Sequence, residues 1–252
     1  MLKRPLISVV IPTFNEKGNV VRLIKKLKKT AFKNKIRAEI IIIDDNSPDG
    51  TADAIRCAFP NDKNVCLWVR KGKRDLAQAI LYGIKKSRGN VIVCMDADFN
   101  HDPAIIPVLI NRLKKADLVI ASRFIDGGGM DDKKRYFFTL TFNLFLKNIF
   151  AFPSTDNTSG FYAIRKRTLL DLPLSQIYKG YGEYHLRFVY LAKKRGLTIQ
   201  EVPVYYKKRI YGQSKSKLLF MFFHYLWEGI KLVFLGKLNE RWLYNKRDGK
   251  FL

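Results

Sequence analysis

Two carboxylates separated by one small residue, Asp96-Ala97-Asp98, close the apolar run Val91-Ile92-Val93-Cys94-Met95. In an extended segment side chains i and i+2 face the same way, so Asp96 and Asp98 would present hard oxygen ligands side by side, with room over Ala97 for a ligand. That donor type suits Mg²⁺ or Mn²⁺ carried on a diphosphate, and Asn100 continues the parity as a third oxygen. Taken alone, an acidic pair after a strand also serves as a helix cap or a solvated turn. Two further polar loops, Pro12-Thr13-Phe14-Asn15-Glu16 and Asp44-Asp45-Asn46-Ser47-Pro48-Asp49-Gly50, follow apolar runs of the same kind. Their carboxylates can accept from a nucleobase N–H or a ribose hydroxyl, and Phe14 offers a stacking face. For Asn15 and Asp49 the plainer expectation is helix capping.

Groups in three separate loops meet only if strands deliver them to one edge. Residues 6–11 read as a β-branched strand, after which Val20, Val21, Leu23, Ile24 and Leu27 recur at helical spacing. The order repeats, with strands at 39–43, 65–69, 91–95 and 118–121 and helices at 51–59, 76–87 and 103–113. Such alternation predicts an α/β fold, a mostly parallel sheet flanked by helices, with ligand loops gathered at one edge.

A chain of 252 residues suffices for one substantial α/β core, and a hydrophobic fraction of 47% excludes a disordered chain. Forty-seven basic residues against 22 acidic ones give a formal charge of +25, which favours phosphorylated substrates, an anionic bilayer surface or nucleic acid as partners. No zinc-finger spacing, recognition-helix pattern or aromatic nucleic-acid signature accompanies the charge, so nucleic acid is not expected. Cys57, Cys66 and Cys94 form an odd set without metal-ligand spacing, which points to a reducing compartment. No apolar targeting segment precedes the first strand, so the domain is expected to face the cytoplasm.

Beyond residue 122 the alternation loosens. Segments 136–152 and 217–235 are aromatic-rich helix candidates, interrupted by Lys147 in the first and by His224, Glu228 and Lys231 in the second. Their uncharged runs fall short of the roughly 20 residues a bilayer requires. They read either as amphipathic helices lying in the headgroup region or as ordinary buried helices. The expected division is a catalytic domain over 1–216, including the helix at 136–152, and a C-terminal interfacial helix with a basic tail over 217–252.

Taken together, Val9-Val10-Ile11-Pro12-Thr13-Phe14-Asn15-Glu16, Ile43-Asp44-Asp45-Asn46-Ser47-Pro48-Asp49-Gly50 and Met95-Asp96-Ala97-Asp98 resemble glycosyltransferase family 2, which has the GT-A fold. Within that family the similarity is to the polyprenyl-phosphate (dolichyl-phosphate) mannosyltransferases. Ala121-Ser122-Arg123-Phe124, Arg135 with Thr139, Thr158-Ser159-Gly160-Phe161, Glu201-Val202-Pro203-Val204 and Arg209-Ile210-Tyr211-Gly212-Gln213-Ser214-Lys215 extend it over residues 5 to 235. The resemblance implies that Pro12, Phe14, Glu16, Asp44, Asp45, Asp96, Ala97 and Lys215 bind the nucleotide sugar. It implies Asp96, Asp98 and Asn100 as ligands for Mg²⁺ or Mn²⁺, and Arg123, Arg135 and Thr139 as the acceptor-phosphate site. Asp96, Asp98, Arg123 and Arg209 would be the catalytic set.

The implied reaction is inverting transfer of mannose from GDP-mannose to a polyprenyl phosphate at the cytoplasmic face of a membrane. Membrane contact would come from the interfacial helices or from an anchoring partner subunit. Departures from the family pattern keep the donor open. Asp75-Leu76-Ala77-Gln78-Ala79 stands where relatives carry a Gly-Leu-Gly loop, and Leu186 stands where a Glu is common, with Glu183 three residues earlier. A UDP-sugar enzyme acting on the same lipid or another acceptor is the alternative. Outside enzymes, the rival is a basic membrane-surface or nucleic-acid binding protein on a transferase scaffold.

Overall fold

Uninterrupted β-branched runs form the centre of the molecule, as buried parallel strands require. The computed structural model describes residues 6–208 and 218–238. Its first half contains β1 (Ile7–Thr13), α1 (Lys17–Lys33), β2 (Ala38–Asp44), α2 (Thr51–Ala58), β3 (Val65–Val69), α3 (Leu76–Lys86), β4 (Val91–Cys94), α4 (Ile106–Arg112) and β5 (Leu118–Ser122). There follow β6 (Gly129–Met130), α5 (Lys133–Phe150), β7 (Tyr162–Arg165), α6 (Lys166–Leu170), α7 (Leu174–Ile177), α8 (Glu183–Lys194), β8 (Ile199–Pro203), β9 (Tyr205–Tyr206) and α9 (Leu218–Leu238).

Seven strands form one sheet in the order β3-β2-β1-β4-β7-β5-β8, and β6 pairs with β9 beside it. All neighbours in the main sheet are parallel except β7, which runs antiparallel to both β4 and β5. The pleat sorts side chains between two cores. Val9 and Ile11 join Val20, Leu23, Ile24 and Leu27 of α1 in one, while Val10 joins Ile80 and Ile84 of α3 and Phe188 of α8 in the other. At Gly83 an added Cβ would stand 2.5 Å from Val10 Cγ1, so α3 lies this close to β1 only because that position has no side chain.

The alternating pattern predicts β1 to β5 and their helices to within a few residues. Three differences have physical reasons. The helix expected over 103–113 divides into a 3₁₀ turn at Pro103–Ile105 and α4, because Pro103 and Pro107 each lack the N–H that a continuous ladder needs. β7 goes unpredicted: its four residues are buried or nearly so, and their sequence has no period to read. β1 and β2 extend two residues and one residue further than expected, to Thr13 and Asp44, which alters which side chains reach the site.

The two aromatic-rich helices cover 133–150 and 218–238. They pack against each other, Gly229 of α9 sitting over Leu146 and Phe150 of α5. Phe142, Asn143 and Leu146 are buried on α5, and Tyr225 and Leu232 on α9. Each buried apolar side chain contributes roughly 1.5–3 kcal/mol, so a narrow stripe anchors the pair. The opposite faces leave Phe137, Leu144, Phe145 and Ile149 of α5 and Phe223, Trp227 and Phe234 of α9 exposed. Among the described residues no helix is long and apolar enough to cross a membrane.

Candidate active site

At the carboxyl edge of the sheet the loops after β1, β2, β3 and β4 enclose a crevice of about 690 Å³, its open mouth included. The end of β1 contributes Pro12, Thr13, Phe14 and Glu16, and the end of β2 contributes Asp45. The loop after β3 and the start of α3 add Arg74, Leu76 and Ala79. Asp96, Ala97 and Asp98 come from the end of β4, and Tyr181 from the loop before α8. This is where an open α/β sheet places its ligands.

Asp44 does not line the crevice. β2 continues through it, so Asp44 and Asp45 point to opposite sides. The fully buried Asp44 carboxylate accepts from Thr13 Oγ1 at 2.9 Å, Ser47 N at 2.8 Å and Ser47 Oγ at 2.6 Å, and so shapes the loop. Asp45 faces the ligand space with its side chain 6% exposed and Arg70 Nη1 3.2 Å from its Oδ1. Burial raises its pKa, with the charges of Asp44 and Asp75 adding, against the opposing Asp75 amide and Arg70. The loops after β1 and β2 lock together through Asn15 N to Ser47 Oγ (2.9 Å), Glu16 N to Thr51 Oγ1 (3.0 Å) and Lys17 N to Asp49 Oδ2 (3.0 Å). Asp49 therefore serves the first residue of α1 as well as the Thr51 amide of α2. Asn15 caps nothing: its backbone is left-handed, with φ 57°, and Glu16 occupies the N-cap of α1.

The acidic loop departs from the extended geometry that its sequence suggests. The strand stops at Cys94, and Phe99 turns the chain with φ 64°. Asn100 consequently faces Asp98 instead of continuing its parity, donating from N to Oδ1 at 3.1 Å and from Nδ2 to Oδ2 at 3.0 Å. His101, directly after the acidic motif, is buried beneath it. Its Nδ1 accepts from the Asp96 amide at 2.8 Å, which places the proton of the neutral ring on Nε2, donating to Tyr206 Oη at 2.7 Å. Tyr206 in turn donates to Ser159 O at 3.1 Å. The Asp96 backbone is thereby tied to β9 and to the loop before β7.

Arg123, Arg135 and Thr139 lie outside the crevice lining. Arg123 is buried at 3% exposure, its Nε and Nη2 each 2.7 Å from an oxygen of Asp156, with Thr158 Oγ1 a further 2.8 Å from Nη2. Burial acts to raise the Asp156 pKa, but the Arg123 charge and hydrogen bonds override it and hold the carboxyl below its ordinary value. Asn143 of α5 donates to Thr158 Oγ1 at 3.2 Å and to Thr139 O at 2.8 Å, which connects the Arg123 loop to the helix carrying Arg135 and Thr139. The Thr139 hydroxyl itself donates to Arg135 O at 2.7 Å. Burial raises the Tyr225 phenol on α9, with Glu183, Tyr181 and Asp96 adding and Arg135 opposing, so groups of α5, α9 and the acidic loop converge there. Arg209 and Lys215 lie outside the described residues.

The sequence model for Glycosyl transferase family 2 matches residues 8–172. The chain belongs to this family. The chain is 30% identical over 238 residues to the dolichol-phosphate mannosyltransferase of Pyrococcus furiosus, covering 88% of this chain but only 64% of that relative's length. It is 32% identical over 215 residues to the undecaprenyl-phosphate mannosyltransferase of Micrococcus luteus, covering 83% of this chain and 86% of the relative. Among solved structures, glucosyl-3-phosphoglycerate synthase from Mycobacterium tuberculosis with phosphoglyceric acid superposes with a TM-score of 0.71. The identity is 18%, over 91% of this chain and 80% of the other. The same synthase solved with Mn²⁺, UDP and glucosyl-3-phosphoglycerate gives a TM-score of 0.62 at 20% identity, over 98% and 83% of the two chains. These likenesses show the GT-A fold.

In this family 2 chain, four crevice residues escape the sequence reading: Arg74, Leu76, Ala79 and Tyr181. The run Arg70-Lys71-Gly72-Lys73-Arg74, directly after an apolar strand, is the signal that would have found Arg74, because it must emerge at the same sheet edge as the acids. Tyr181 has no such signal. Its loop is placed from outside, by Ala77 N donating to Gly180 O at 3.3 Å and by Glu183 Oε1 accepting from Tyr181 N at 3.0 Å.

Proposed function

We propose that this family 2 glycosyltransferase transfers mannose from GDP-mannose to a polyprenyl phosphate with inversion at C1. One observation carries the lipid acceptor: α5 bears Arg135 and Thr139 on the side facing the body of the protein and exposes Phe137, Leu144, Phe145 and Ile149 outward. A phosphate site and an apolar surface share one helix, as a lipid phosphate requires. The relatives named above support mannose as the transferred sugar.

The donor set fits a divalent cation. Asp96 and Asp98 are hard oxygen donors at the crevice wall, and among the described residues no group of three His, Cys, Asp or Glu side chains gathers around them. Two carboxylates with the remaining positions left to water and substrate phosphate is how Mg²⁺ and Mn²⁺ are usually held. When bound, the ion would stabilise negative charge on the departing diphosphate. Asn100 fixes the Asp98 carboxylate, and His101 fixes the Asp96 backbone. Pro12, Phe14, Glu16 and Asp45 form the nucleoside end of the crevice. The acceptor phosphate, with a second pKa of about 6, is already anionic at neutral pH and attacks C1 opposite the diphosphate. The new C1–O bond forms as the old one breaks, its electrons leaving with the nucleotide, and no separate general base is needed.

A donor screen tests this reading. GDP-mannose with Mg²⁺ or Mn²⁺ is expected to raise the Tm well above UDP-glucose or UDP-N-acetylglucosamine, since a ligand of the native state at 100 times its Kd stabilises by about 2.7 kcal/mol. Turnover with polyprenyl phosphate completes the test. A larger shift with a UDP-sugar, and turnover only with that donor, would replace the assignment.

The exposed faces of α5 and α9 give a second expectation, peripheral attachment to a bilayer. A polyprenyl tail leaves the membrane at a cost of about 0.8 kcal/mol per CH₂, so the enzyme must come to the lipid. Wild-type protein should sediment with anionic vesicles, less at high salt, because the +25 charge adds attraction. Replacing Phe223, Trp227 and Phe234 with Ser should weaken sedimentation by at least about tenfold while nucleotide binding is retained. Absence of wild-type sedimentation at low salt would transfer the attachment to a partner subunit or remove the lipid acceptor.

A further inference from the structure

Two arginines leave the loop after β3 and meet opposite fates. Arg70 is engaged by Asp45 at 3.2 Å and by the Asp75 carbonyl at 3.1 Å. Arg74 lies with its guanidinium carbon 4.1 Å from the centre of the Phe14 ring, and among the described residues no acid or hydrogen-bond acceptor holds it. An arginine stacked on an aromatic face has its plane fixed while its N–H groups point outward in that plane. It is a donor fork held in place by something other than an acceptor.

Sheet order shows what the fork faces. β1 separates β2 from β4, so neighbouring strands at about 4.8 Å put the Asp45 end of the crevice about 10 Å from the acidic pair. With the diphosphate at Asp96 and Asp98, the base lies toward β2, where Phe14, Asp45 and Arg74 line the crevice. Asp45 there brings a carboxylate, paired with Arg70, to the crevice wall, a chemistry that suits a base N–H donor. A guanine offers N–H groups on one edge and the paired acceptors O6 and N7 on another. A uracil has no such acceptor pair.

Resting on the guanine-nucleotide donor above, we propose that Arg74 selects the donor base by donating two hydrogen bonds to the O6 and N7 edge of guanine. It is a specificity residue of the donor site, supplied by the loop after β3.

The test is calorimetric titration, with Mg²⁺, of GDP, 7-deaza-GDP and UDP into wild type, Arg74→Met and Arg74→Lys. The exposed position of Arg74 makes both variants foldable. Methionine keeps the apolar stem without donors, and lysine keeps the charge without the fork. Wild type should favour GDP over 7-deaza-GDP, which lacks only the N7 acceptor, by about tenfold. In both variants that ratio should fall toward one, and GDP should lose its lead over UDP. Wild type binding UDP as tightly as GDP overturns the donor reading and this proposal with it. Wild type preferring GDP, with an unchanged GDP to 7-deaza-GDP ratio in Arg74→Met, overturns the role of Arg74 alone.

Discussion

Asp98→Ala should lower the rate of sugar transfer by about a thousandfold at saturating donor, because charge on the leaving diphosphate would lose one of its two carboxylate-held supports. The structure adds a complication. Asp98 is 6% exposed and accepts both the amide and the side-chain N–H of Asn100, so the substitution also leaves a buried amide unsatisfied, at about 1–3 kcal/mol. Asn100→Ala separates the two effects. It removes the side-chain support but keeps the carboxylate, and should reduce metal affinity or activity by only about 10–100-fold, with recovery at higher Mn²⁺. Measuring kcat against Mn²⁺ for both variants decides the matter. Undiminished turnover of Asp98→Ala with Mg²⁺ or Mn²⁺ would remove the metal assignment.

Asp156→Ala should be the most destabilising single substitution near the site, by about 3–5 kcal/mol, because it strands the Arg123 guanidinium in the interior without its partner. Chemical denaturation would measure the loss. The double variant Arg123→Met/Asp156→Leu removes both charges together and should regain most of the stability, since a buried ion pair contributes little relative to apolar side chains of similar size. If that variant is stable yet inactive, the Arg123 charge serves the acceptor phosphate. If it is stable and active, the pair only holds the loop. The pH dependence follows from the direction of the shift. A carboxyl held below its ordinary value stabilises the fold above that value and loses the contribution as pH falls through its folded-state pKa. Wild-type stability should therefore decline into the acid range more steeply than that of the double variant.

Sequence and structure agree where a residue's position follows from a strand end. Pro12, Phe14, Glu16, Asp45, Asp96, Ala97 and Asp98 all reach the crevice because short loops after parallel strands have nowhere else to go. Legibility fails where one more residue of strand, or one left-handed residue, redirects a side chain. Asp44 turns inward because β2 runs through it, and Asn100 and His101 turn under the acidic pair because Phe99 breaks the extended path. Apolar spacing carries no trace of either event. Tyr181 was illegible for a different reason, its place being set by α3 and α8 and not by its own neighbours in the chain. His185 of α8 is buried in the core. It is stacked on Tyr162 at 5.6 Å, and burial pushes its pKa down to about 3, which keeps it neutral. His224 lies 3.3 Å from Glu183.

The reversed strand β7 also has a bearing on how the molecule is made. β1, β2, β3 and β4 follow one another, and each can find a neighbour as soon as it emerges from the ribosome. β5 cannot: it ends at Ser122, whereas its two neighbours begin only at Tyr162 and Ile199. At about 5–20 residues per second, the strand Leu118–Ser122, fully buried in the finished protein, waits several seconds with both edges open. Long loops must close before either edge is covered, which slows this half of the sheet relative to the first. Aggregation during synthesis is therefore expected to respond to substitutions in β5, β7 and β8 far more than to changes in β1 to β4, even where the folded protein loses equal stability.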